Sequence, residues 1–126
     1  MGLFNKQDTS KVADNFREKF TGEINEFLVQ GEEIEDIYQL FVDYLCVTNK
    51  RIIFVDKVIS LKEPKTTIYS VPYKNIISVG LEKNLKGLAF TDKLEIVTKG
   101  AVHELKFVRL LVDIKTIYNQ IVQKIL

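Results

Sequence analysis

Two adjacent cations, Lys50 and Arg51, interrupt an otherwise apolar stretch, YLCVTNKRIIFVD, residues 44–56. Arginine beside lysine is a pairing suited to phosphate, which it grips through charge-assisted hydrogen bonds. Lys57, Lys62 and Lys65 follow. Together these five make a candidate contact for an anion or a lipid headgroup. The competing reading is structural. Asn49-Lys50 is then the tip of a two-residue hairpin, with Asn49 tolerating the positive φ such turns favour. Arg51 becomes an outward strand residue, paired or snorkelling. The structural reading is favoured, because most surface cations are simply solvated. Lysines in a mobile loop, at about 1 kcal/mol each near anionic lipid, are too few for stable attachment.

Other reactive residue types form no constellation. His103 is the single histidine, and its neighbour Glu104 points to the opposite face of a strand, so a metal site is not expected. Cys46 is the single cysteine and has no evident base; a buried strand cysteine is the usual case. Glu32, Glu33, Glu35 and Asp36 are acidic but lack the spacing of a calcium loop. No serine lies in a nucleophile motif, and no glycine-rich loop is placed to cradle phosphate. No catalytic residue, metal or cofactor is expected.

The 126 residues suit one domain with a core of its own. Net charge is +1, so bulk charge does not argue for nucleic acid. One cysteine excludes a disulfide framework. The start, MGLFNKQDTS, has no apolar segment of signal-peptide length, and Lys6 stands where a myristoylation pattern wants Ser or Thr. A soluble, cytoplasmic protein is expected.

Asp8, Thr9 and Ser10 offer cap oxygens to a helix whose stripe is Val12, Phe16 and Phe20, closing at Thr21-Gly22. Ile24, Phe27 and Leu28 extend the pattern about one turn before Gly31. Residues 33–42 are ambiguous. Ile34, Ile37, Tyr38 and Phe41 fit a helix face; Ile34, Tyr38, Leu40 and Val42 fit a strand face. From Tyr44 onward β-branched and aromatic residues predict strands over 44–48 and 51–56, then TTIYSV ended by Pro72, NIISVGLE, KLEIVTKG and VHELKFV. Loops are expected at 57–65 and 85–92, and a turn at Lys99-Gly100. Leu94, Ile96 and Thr98 share a face, as do His103, Leu105 and Phe107. Leu110, Ile114, Ile117, Ile121 and Ile125 then mark an amphipathic helix with Gln120 on its solvated side. About seven short strands followed by a helix predict a sandwich or partly closed barrel, one end covered by that helix.

GEEIEDIYQLFVDYLCVTNKRIIFVDK followed by TTIYSVPYKNIISVGLE resembles the bacterial pleckstrin-homology (PH) domain family. Thr-Asn-Lys-Arg before Ile-Ile-Phe-Val-Asp is similar to a hairpin found there and in related GRAM-type domains. The element VPYKNI, Val71 to Ile76, looks like the family's connection between two central strands. The resemblance implies that residues 33–42 are the first strand. It implies a mainly β (α+β) fold: a PH-like, seven-stranded antiparallel barrel or sandwich with a C-terminal capping helix. The N-terminal helix is extra. Residues 1–30 are then a helical extension, 32–109 the β barrel and 110–126 the cap. PH domains usually carry a Trp in the closing helix. This chain has none, so Tyr118 or Ile121 is expected to fill that place. The segment KNLKGLAFTDKLEI is also more basic than the acidic stretch expected there.

Family members form ring-like homo-oligomers, so the resemblance implies a non-enzymatic, self-associating interaction module. The apolar stripe with Phe16 and Phe20 needs a surface to bury against: the chain's own barrel is the simpler reading, and a neighbouring subunit, with these two residues as self-association contacts, is the alternative. In phosphoinositide-binding PH domains cations cluster at the first hairpin. Here that turn carries Asp43, of the wrong sign. Weak or no membrane binding is therefore expected, and a lipid- or membrane-surface module of GRAM/PH type is the alternative. No nucleic-acid partner is expected.

Overall fold

Tyr44–Thr48 is buried at every position, which an alternating half-exposed strand would not be. The reason is that both faces of its sheet are covered. The computed structural model describes residues 17–40, 44–58, 65–83, 91–108 and 112–126. Helix α1, described over residues 17–24, leads into a 3-10 turn at Asn25–Phe27. Strands β1 (Ile34–Gln39), β2 (Tyr44–Thr48), β3 (Arg51–Val58) and β4 (Lys65–Pro72) form one antiparallel sheet in that order. A second 3-10 turn, Tyr73–Asn75, carries the chain into β5 (Ile76–Lys83), β6 (Thr91–Thr98) and β7 (Val102–Val108), the second antiparallel sheet. Helix α2 (Ile114–Ile125) follows. Among the described residues no strand pairing joins the two sheets, so the architecture is a sandwich rather than a closed barrel.

The main core lies between the sheets. Leu45, Val47, Ile52, Phe54 and Val71 from the first sheet meet Leu94, Ile96, Leu105 and Phe107 from the second. Ile114, Ile117 and Ile121 of α2 close the end, all three essentially without exposure. Tyr118, partly buried, packs against the same core beside Ile121. Asp113 caps α2 by accepting from the Lys115 amide at 3.1 Å. A second cluster lies on the outer face of the first sheet, where Ile37, Tyr44, Cys46, Ile53 and Val55 pack under Ile24, Phe20 and Leu28.

Several sequence expectations need correction. The first helix passes Thr21-Gly22 and runs to residue 24, and the further turn marked by Ile24 and Phe27 is completed as a 3-10 turn. β3 and β4 extend through Lys57 and Lys65, shortening the loop expected at 57–65. Asp92 is a buried strand residue of β6 rather than a loop residue. The closing helix begins at Ile114; Leu110 lies outside the described residues. Gln120 is half-buried, and its Oε1 accepts from Tyr38 Oη, so it is not on a purely solvated face.

Residues 34–39 are a strand, and their ambiguous periodicity has a cause. Ile34 pairs with Thr48 and Asp36 with Val47, so β1 holds one extra residue at that step. The bulge puts Ile34 and Ile37, three apart, in the same outer cluster, while Tyr38 turns to the main core. A bulged strand thus mimics helical spacing.

Candidate functional site

The β2–β3 hairpin has the two-residue connection expected, but its chemistry differs from expectation. Among the described residues only Gly31 has a positive φ, +80°, so Asn49 is not in the left-handed region. Thr48 builds the turn instead: its Oγ1 accepts from the amides of Lys50 at 3.1 Å and Arg51 at 3.0 Å. Asn49 uses its side chain to dock the tip on the preceding segment. Its Oδ1 accepts from the Glu33 amide at 2.8 Å, and its Nδ2 donates to the Gly31 carbonyl at 3.0 Å. Tyr73 Oη donates to the Thr48 carbonyl from the other side.

Arg51 projects to the outer face of the sheet and meets Glu32. Nε donates to Oε2 and Nη2 to Oε1, both at 2.9 Å, a two-pronged ion pair. Nη1 also donates to Ser70 Oγ at 2.8 Å and Nη2 to the Phe27 carbonyl at 2.7 Å. The Glu32 side chain has no exposed surface, and that of Arg51 keeps 19%. Glu32 accepts further from the Thr48 hydroxyl at 2.7 Å and the Val29 amide at 3.0 Å. Burial pushes its carboxyl up, but Arg51, Thr48 and Val29 more than reverse this and bring it down to about 2. The guanidinium is spent on a carboxylate, and an approaching phosphate would meet that carboxylate's charge.

Of the other candidate cations, Lys57 and Lys65 lie far from Arg51 along the strands. Arg51 pairs with Pro72 at one end of the β3–β4 ladder, and Lys65 pairs with Val58 at the other. Seven strand steps separate the ends by about 23 Å. Lys57 lies in register with Thr66, near Lys65, and Lys62 is outside the described residues. Lys50 is exposed at the hairpin tip, its chain passing 3.9 Å from where a Cβ on Gly31 would lie.

Phe20 packs on the chain's own sheet, its ring centroid 3.9 Å from that of Tyr44; Phe16 lies outside the described residues. The acidic set is divided among separate tasks. Glu32 pairs with Arg51, Glu35 with Lys124 of α2, and Asp36 with Arg17 of α1. Asp36 Oδ2 also lies 3.2 Å from Tyr38 Oη, competing with Gln120 for its single proton. His103 faces inward against Phe54, centroids 5.0 Å apart, and lies 5.8 Å from Tyr69. Among the described residues no three His, Cys, Asp or Glu side chains are grouped to hold a metal. Burial, with repulsion from Glu32, pushes the Cys46 thiol up to about 12, so it is not activated.

The Glu32–Arg51 pair spans 19 positions and was not foreseen from sequence. Its signals were an acidic GEE and a basic Thr-Asn-Lys-Arg flanking a predicted strand pair, which a hairpin brings face to face.

Two stacked antiparallel sheets of four and three strands, closed at one end by a C-terminal helix, define a PH-like domain. The chain belongs to the bacterial PH domain family, whose model matches residues 3–125. It is similar to the Bacillus subtilis protein YozO, 42% identical over 84 residues, covering 65% of this chain and 69% of that one. The pleckstrin homology domain from Shewanella amazonensis superposes with a TM-score of 0.69 at 24% identity, covering 85% of this chain and 96% of that one. A Shewanella loihica protein with a pleckstrin-homology domain superposes with a TM-score of 0.68, also at 24% identity, covering 86% and 92%. At that identity the two structures speak to the fold.

Proposed function

We propose that this chain is a non-enzymatic PH-like interaction module that associates with copies of itself. One observation carries the reading: the two sheets are covered unequally. The outer face of the first sheet is packed under α1. The outer face of the second carries Ile77, 65% exposed, and Val102, 58% exposed. Val97, in register with both Ser78 and Val102, lies between them on the same face. Terminal strands of each sheet also offer edges that a second copy can pair. Two different edges used head to tail generate a ring when the rotation between copies closes. The titratable groups of the hairpin region serve structure, with Glu32 neutralised by Arg51 and Cys46 buried, which fits a binding role without catalysis.

The second reading, a membrane-surface module, draws support from Phe27 and Val29, 44% and 54% exposed, in the segment that docks on the hairpin carrying Lys50. The commitment of Arg51 to Glu32 weighs against it. No helix among the described residues is long and apolar enough to cross a membrane. Light scattering across a dilution series, followed by co-sedimentation with phosphoinositide-containing vesicles at physiological salt, separates the two. A concentration-dependent mass above the monomer with no saturable vesicle binding is expected. A monomer at all concentrations that binds vesicles with headgroup selectivity would replace the first reading by the second.

A further inference from the structure

The two hydrophobic clusters lie on opposite faces of the first sheet and are closed by different elements. The sandwich core is sealed by the second sheet and α2. The outer cluster is sealed from above by α1 and the segment after it, through Phe20, Ile24 and Leu28.

This cover is held unevenly along its length. Its C-terminal end is pinned. The Phe27 carbonyl accepts from Arg51, the Val29 amide donates to Glu32, and Gly31 and Glu33 are bonded by Asn49. The helix itself is held by packing and a solvent-facing ion pair. Ile24 at its end is fully buried, Phe20 packs with its ring tilted against Tyr44, and Arg17 pairs with Asp36 where the side chains keep 48% and 33% exposure. Gly22 sits inside the helix with no atom of the described residues within 4 Å of where a Cβ would be, so nothing in their packing requires glycine there, and it lowers the helix's intrinsic stability. The 3-10 turn Asn25–Phe27, with no side-chain cap at its start, joins the helix to the pinned segment, which begins at the Phe27 carbonyl. The cover is also incomplete. A groove of about 450 Å³ runs between α1 and β1, with Ile34 and Ile37 lining it beside Arg17, Glu18, Thr21 and Glu35.

We propose that α1 is a hinged strap. It lifts from the first sheet as a unit about the Asn25–Phe27 turn, while the sandwich and the Arg51–Glu32 clamp stay folded. Lifting uncovers a second apolar sheet face, Ile37, Tyr44, Cys46, Ile53 and Val55, that the closed form hides. The fold thereby switches the exposure of an apolar surface without unfolding its main core. This inference is independent of whether the chain self-associates.

Cys46, the single cysteine, lies fully buried under the strap and reports its opening. The full-length protein is labelled with a dithiopyridine reagent at pH 8 over a series of urea concentrations below the unfolding transition. Global stability is measured in parallel. Labelling faster than global unfolding permits, and nearly flat in low urea, is expected, because a strap exposes little surface. Phe20→Ala should raise the flat rate about tenfold and Arg17→Ala a few-fold, the latter with the unfolding midpoint hardly moved. Ile121→Val, in the sandwich core, should lower the global midpoint and leave the flat rate unchanged. Two results would overturn the proposal. One is wild-type labelling that follows global unfolding, with its full urea dependence, at every concentration. The other is acceleration by Ile121→Val matching that by Arg17→Ala.

Discussion

Replacing Arg51 with methionine tests the account of the hairpin most sharply. The substitution keeps an apolar stem of similar reach and removes four donated hydrogen bonds: two to Glu32, one to Ser70 and one to the Phe27 carbonyl. Glu32, whose side chain is fully buried, is left ionised with only the Thr48 hydroxyl and the Val29 amide. Breaking a buried pair by removing one partner costs about 3–5 kcal/mol. The residual exposure of Arg51 places this case near the lower end, about 3 kcal/mol, against a domain total of about 5–15 kcal/mol. Adding Glu32→Gln removes the orphaned charge and keeps an acceptor for Val29. The double variant should therefore recover about 1 kcal/mol or more relative to Arg51→Met alone. Urea melts followed by tyrosine fluorescence read both, since the chain has no Trp. The same pair makes a pH prediction. Glu32 is depressed to about 2 in the folded state, against about 4.3 for a free Glu side chain. Its contribution is thus fully present above about pH 4.3 and is lost as pH falls toward 2, roughly 3 kcal/mol in all. Other carboxylates titrate in that window, so the decisive quantity is a difference. Wild type should lose more stability than Glu32→Gln between pH 5 and pH 3. Equal losses in the two proteins, or a double variant no more stable than Arg51→Met, would refute the buried-pair reasoning.

Three further outcomes are expected. Asn49→Gly, which would suit a primed turn, should instead destabilise by about 1 kcal/mol, because it removes the bonds to Glu33 and Gly31 and no positive φ needs relief; a thermal melt showing stabilisation would contradict this. Ile117→Ala with Ile121→Ala should bring the fold near collapse at about 2–5 kcal/mol each, while Gln123→Ala on the exposed side of α2 should change stability by less than about 0.5 kcal/mol; urea midpoints decide it. Tyr38→Phe should cost about 1 kcal/mol through loss of the hydroxyl that Gln120 and Asp36 share as a donor, and it should be additive with Asn49→Gly, measured in the same melts, since the two sites share no partner.

Residue order alone marks strands between Tyr44 and Val108, a shared face for Leu94 and Ile96 and another for Leu105 and Phe107, and the buried stripe Ile114, Ile117 and Ile121. Each follows from a local period, two along a strand or 3.6 along a helix, which side-chain chemistry writes directly into residue order. Where the local period broke, local reading stalled. The bulge in β1 shifted Ile34 and Ile37 onto one face and left strand and helix tied until the family resemblance decided between them. The role of Arg51 was beyond local reach for a different reason. An arginine in a hairpin serves a phosphate or a carboxylate equally well, and the choice depends on what stands opposite once the chain has folded. Here the opposite group is Glu32, 19 positions away. The same holds for Phe20, whose ring needed a surface that the sequence could not name; the outer face of the first sheet, assembled from β1, β2 and β3, supplies it. Only tertiary structure makes such assignments, because burial and pairing are set by neighbours in space, and those come from strands that the chain visits at widely separated points.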